Sequence, residues 1–121
     1  MNDVARRLGH LKQSWMEQPG ISEKLALMGL ANINKQQVTD ILSNLTRMAE
    51  KLDDAASADM VMTRRSCEKM VQAAESDLAE YIKDRDSIHM LGFLTLLKQI
   101  HITLVCALAQ LFPGVRHRQA G

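Results

Sequence analysis

The sequence predicts an all-α protein: an up-and-down helical bundle of four main helices plus one short helix, with the C-terminal helix central. Three observations carry that prediction. Hydrophobic residues make up 46% of the chain but aromatic residues only 3%, so the core must be built from Leu, Ile, Val, Met and Ala. That is the vocabulary of helix packing rather than of sheets. The only prolines, Pro19 and Pro113, leave everything between them free of a helix breaker. Along most of that length apolar residues recur at helical spacing. A chain of 121 residues fits one domain and is long enough to enclose a core. The expected domain is 1–114, with 115–121 as a flexible basic tail.

Each element has its own signals. The first helix is expected over 3–17, with Asp3 as N-cap and Val4, Leu8, Leu11 and Trp15 on one face. Pro19-Gly20 ends it. Ser22 is read as the cap of a short helix reaching residue 30, with Leu25, Met28 and also Leu27 inward. Gly29 and Asn32 weaken its end, and Asn34 looks like the next N-cap. The third helix is predicted over 35–52, with Val38, Ile41, Leu42, Leu45, Met48, Ala49 and Leu52 as its seam. Residues 53–59 read as a turn, with Ser57 or Asp59 capping the next helix. That helix spans 60–83, with Met60, Cys67, Val71, Ala74, Leu78 and Tyr81 or Ile82 inward. Asp84-Arg85-Asp86-Ser87 forms the next corner, with Asp86 or Ser87 as cap. The last helix covers 88–112 and stops at Pro113-Gly114. A short corner makes the last two helices an antiparallel hairpin.

The last helix is apolar on almost every side. A surface helix would carry a stripe instead. A membrane span needs about 20 uninterrupted apolar residues, and here His89, Thr95, Lys98, Gln99, His101, Thr103 and Gln110 break the run. The reading is therefore no membrane span. Thr95, Gln99, Thr103 and Gln110 fall near one narrow polar line, the edge expected to meet water. Part of the remaining coat is expected to be an interface, with Met62, Leu97, Ile100, Leu104, Leu108 and Leu111 as candidate interface residues. Of the eight methionines, Met62 lies off the main seam of its helix and is expected to be exposed. Lys98 is expected to snorkel or to pair with an acid of the preceding helix such as Glu75.

Several function classes lack support. No catalytic, cofactor-binding or metal-ligating constellation is visible, and none is expected. Asp86-x-x-His89 has acid-x-x-His spacing, but helical di-metal sites need two such copies plus further glutamates. His10 and His101 are read as partly buried helix-face residues. Two cysteines do not make a disulfide framework. Cys67 and Cys106 are expected as reduced core thiols, at similar heights on the hairpin, which leaves room for a redox link. The net charge of +1 exerts no global pull on nucleic acid or acidic membranes. The paired arginines Arg6-Arg7 and Arg64-Arg65 are the possible nucleic-acid contacts, but acids are interspersed and aromatic stacking partners are scarce. No apolar signal segment or lipidation motif is visible, so the cytoplasm is the expected compartment.

These readings converge on a small cytoplasmic protein–protein interaction module, a regulator, adaptor or chaperone-like protein without catalysis. It is expected to form a homodimer through the last helix with help from the one before it. The alternatives are a nucleic-acid-binding transcriptional regulator and, behind it, a helical enzyme or metal-binding bundle.

Overall fold

The computed structural model describes residues 3–55 and 60–111. They form α1 (Asp3–Met16), α2 (Ile21–Leu27), α3 (Lys35–Ala55), α4 (Val61–Asp84) and α5 (Ser87–Leu111). No strand occurs among them. The protein is an all-α bundle of four long helices and one short one.

Local chemistry explains where the helices start and stop. Gly20 (φ 71°) turns the chain into α2, and Gly29 (φ 80°) turns it out again. Both angles lie in the left-handed region where a Cβ is strained. Ser22 is not the cap of α2. The helix has already begun at Ile21, and the Ser22 hydroxyl accepts the Lys35 N–H instead. Asn34 does cap α3. Its Oδ1 accepts the Gln37 N–H at 2.8 Å, while Gln37 Oε1 accepts the Asn34 N–H at 2.9 Å, a reciprocal capping box. Asp3 lies inside the first turn of α1 rather than before it. Arg85 adopts φ 55° and ends α4, its N–H reaching Tyr81 O. Asp86 opens α5 by accepting the His89 N–H at 3.1 Å. Helix α3 runs through Ala55, so residues 53–55, expected as the start of a turn, are helical. The expected caps Ser57 and Asp59, the stop at Pro113-Gly114 and the basic tail lie outside the described residues.

The long helices form a ring. Helix α1 packs on α3, α3 on α5, α5 on α4 and α4 on α1. Helices α1 and α5 therefore face each other across the core, as do α3 and α4. Trp15, at the end of α1, donates from Nε1 to Lys35 O at the start of α3. It also stacks on Phe93 near the start of α5. Helices α3 and α5 thus begin at the same end of the bundle and run parallel, while α1 and α4 run the other way. Successive long helices alternate in direction, as an up-and-down bundle requires.

Leu8, Trp15, Leu25, Leu42, Leu45, Val71, Leu78, Tyr81, Phe93, Ile100 and Leu104 fill the core, drawn from all five helices. Helix α5 packs against both α3 and α4, yet the chain covers only part of its apolar coat. Helix α5 reaches the core through one face: Met90, Phe93, Leu97, Ile100, Leu104 and Ala107. Ile88, Leu91 and Ile102 on its outer side are exposed. In a four-cornered ring every long helix keeps an outward face, whatever its composition. Among the described residues α5 is the one helix long and apolar enough to cross a membrane, but its inner face belongs to the bundle core.

The end of the bundle is tied by a polar clasp. Lys35 Nζ donates to the carbonyls of Met16 and Gln18. The Arg85 guanidinium donates to Gln18 Oε1 at 3.2 Å and Pro19 O at 3.4 Å, and it lies 5.3 Å from the Tyr81 ring centroid. The corner between α4 and α5 is thereby pinned to the α1–α2 turn.

Candidate functional site

The parallel helices α3 and α5 do not close fully against each other. A groove of about 650 Å³ runs between them, lined from α3 by Val38, Asp40, Ile41 and Asn44, and from α5 by Leu94, Leu97, Lys98 and His101. Its floor is apolar. Leu97 and Val38 are buried, whereas Ile41 is 44% exposed on the wall. Ile41 was placed in the α3 seam by its spacing, yet Leu42 beside it is wholly buried. Leu42 takes the centre of the inward face, and Ile41, about 100° round the helix from it, is left at the edge.

The outer edge of α5 continues this apolar surface. Leu91, Lys98 and Ile102 lie along one line of the helix, with Leu91 48% and Ile102 51% exposed. The expected polar line is present beside it: Thr95, Gln99 and Gln110 are exposed and Thr103 is half-buried. Water and apolar surface thus share the outer side of one helix.

The predicted interface residues divide. Ile100 and Leu104 are wholly enclosed by the chain's own core, and Leu97, 3% exposed, reaches the surface only as the floor of the groove. Leu108 and Leu111 are partly buried against that core. Met62 is 71% exposed, as expected, on the outside of α4. Of these six only Met62 is freely accessible, and the apolar wall beside α5 is supplied by Ile41 of α3 rather than by α4. Composition could not separate the two sides of α5, because apolar residues occupy both.

Lys98 does not pair with Glu75. Glu75 faces α1 and takes Arg7 at 3.4 Å, whereas Lys98 borders the α3 side. Among the described residues Lys98 makes no ion pair. Asp40, across the groove, accepts a hydrogen bond from Gln36 Nε2 and has no basic partner among the described residues.

The arginines expected as nucleic-acid contacts are mostly engaged. Arg6 pairs with Asp3 and Arg7 with Glu75. Arg64 lies 3.6 Å from Asp53, whose side chain is 5% exposed. Arg65 alone of the four is exposed without an ion pair among the described residues. Burial pushes the Asp53 carboxyl above its ordinary range despite the Arg64 charge. This pair links the far ends of α3 and α4.

His10 and His101 are exposed rather than partly buried, because each falls at the outer limit of its helix's apolar stripe. His89 Nδ1 lies 2.7 Å from Asp86 Oδ2. Burial raises the Asp86 carboxyl, but the His89 hydrogen bonds and charge outweigh it, so Asp86 titrates below its usual range. Asp86 Oδ2 serves both the backbone N–H and the imidazole of His89 in capping α5, while Oδ1 is buried without a hydrogen bond among the described residues. Among the described residues no group of three or more His, Cys, Asp or Glu side chains is placed to hold a metal ion.

The cysteines are both free, and only Cys67 is a core thiol. Burial and the charges of Asp53 and Glu68 push it up to about 11. Cys106 is exposed, because it lies on the outer side of α5 with Ile102 and Gln99. The two thiols face different surroundings, Cys67 the core and Cys106 the solvent.

Searches against protein-family models, curated proteins and solved structures found no match.

Proposed function

We propose that the protein is a small, non-catalytic interaction module of the regulator, adaptor or chaperone-like kind. It presents the groove between α3 and α5, together with the outer edge of α5, to a protein partner. The observation that carries this reading is the accessible apolar set Ile41, Leu91 and Ile102 around a groove with an apolar floor. An apolar surface on a soluble chain marks a place where another molecule sits when its residues are contiguous rather than scattered. The charged residues at the rim, Asp40, Lys98 and His101, match the polar border of protein interfaces.

The test is native pull-down with the wild-type chain and with Ile41→Glu and Ile102→Glu as baits. Both positions are exposed, so each variant should keep the wild-type stability within about 0.5 kcal/mol. Polypeptides held by the wild type and lost by both variants support the reading. The same capture by all three baits overturns it. So does flotation of the wild type with phosphatidylcholine vesicles that Ile102→Glu abolishes, since lipid would then be what covers the edge.

A further inference from the structure

The charges around the groove indicate which partner fits. Asp40 stands on the α3 wall and Lys98 on the α5 wall, with Ile41 and Leu94 lining the same groove. Neither charge has an opposite partner within the described part of the chain. A symmetric dimer uses the same patch on both subunits, so the patch must complement itself. An acid on one side and a base on the other satisfy that condition.

We infer that the groove seats a second copy of this chain, related by a two-fold axis that passes between Asp40 and Lys98. A two-fold lying in the interface, over the midpoint of the two residues and perpendicular to the line joining them, sets each one opposite the other in the second copy. Asp40 of one copy then meets Lys98 of the other, twice. The apolar positions Ile41, Leu91, Leu94 and Ile102 surround the axis and become covered from both sides. Charged rims of this kind set register and partner choice, while the apolar centre supplies most of the affinity. The inference rests on the groove being an interaction surface and names what occupies it.

Charge exchange tests it. The wild-type chain is expected to be a dimer by analytical ultracentrifugation at tens of micromolar. Asp40→Lys alone creates two Lys–Lys contacts across the axis, and Lys98→Glu alone creates two Asp–Glu contacts. Each variant should dimerise about tenfold more weakly than the wild type, the scale expected for two like-charge contacts at a rim. An equimolar mixture of the two variants restores both opposite-charge contacts, and should recover the wild-type dimer as a heterodimer. Both positions are exposed, and circular dichroism melts check that the variants fold. A monomeric wild type overturns the inference, as does a mixture no tighter than its components. A monomer that still captures a partner lost on Ile41→Glu substitution would refute self-association alone. A monomer whose capture does not depend on the groove would refute the interaction reading as well.

Discussion

Trp15 and Phe93 stack with ring centroids 5.3 Å apart and planes inclined by 18°. They come from α1 and α5, which face each other across the core and share no extended flank. Both are wholly buried, and the Trp15 indole N–H is satisfied by Lys35 O at 3.1 Å. In a core that is otherwise aliphatic apart from Tyr81, this stacked pair joins opposite corners of the bundle.

Removing half of the pair should be costly. Phe93→Ala is expected to destabilise the protein by about 3–5 kcal/mol, the range for a buried phenylalanine. Urea unfolding followed by Trp15 fluorescence measures it, because Trp15 is the only tryptophan. A loss below about 1 kcal/mol would mean that the stack does not hold the bundle together.

Leu97 forms the groove floor and is 3% exposed. Leu97→Ala should cost about 2–5 kcal/mol, whereas Ile102→Ala on the outer edge should stay within about 0.5 kcal/mol in the monomer. Equal losses at both positions in denaturant melts would contradict the division of α5 into an inner and an outer side.

The thiols should titrate in two steps. Cys106 is exposed and Cys67 is buried, with its thiol pushed up to about 11. A disulfide-exchange reagent at pH 8 should label one cysteine in the native protein and the second only after unfolding. Treatment with an oxidant should leave the non-reducing mobility of the monomer unchanged. Rapid native labelling of Cys67→Ser would follow from this assignment, and absence of labelling in that variant would refute it.

Asp86 makes the start of α5 sensitive to acid. Its carboxyl titrates below the ordinary value of 3.8 in the folded chain. The unfolded chain therefore takes up the proton first as pH falls. Stability from the cap is fully present above 3.8 and is lost as pH drops through the lower folded value. Asp86→Ala should be less stable than the wild type at pH 7, with the difference shrinking as pH falls below 3.8. Thermal melts across that interval check it, and a gap that stays constant with pH would exclude the ionised cap.

Much of the architecture was legible because helical periodicity is a direct imprint of burial. The seams of α1 and α4, the Asn34 cap and the corner at Arg85 follow from residue spacing and from local hydrogen-bonding chemistry. The groove was not legible for the opposite reason. The α5 sequence is apolar on both its inner and outer sides, so periodicity there carries little information. Which side faces in depends on where α3 and α4 stand, a tertiary fact. Ile41 gave no signal, since its spacing fits the α3 seam as well as that of Leu42 does. Asp40 and Lys98 gave none, because two exposed charges far apart in sequence become partners of one groove only through the parallel pairing of α3 with α5.

The order of helices around the ring also bears on how the chain reaches its native state. The pairings of α1 with α3 and of α4 with α5 join consecutive long helices, so the molecule is two sequence-local hairpins laid side by side. Closing each hairpin fixes short loops and comes early, as low contact order favours. The bonds from Arg85 to Gln18 and Pro19 span 67 and 66 residues and can form only when the hairpins dock. The clasp is therefore a latch on the last step, and the apolar flanks of both hairpins stay open to wrong neighbours until it closes.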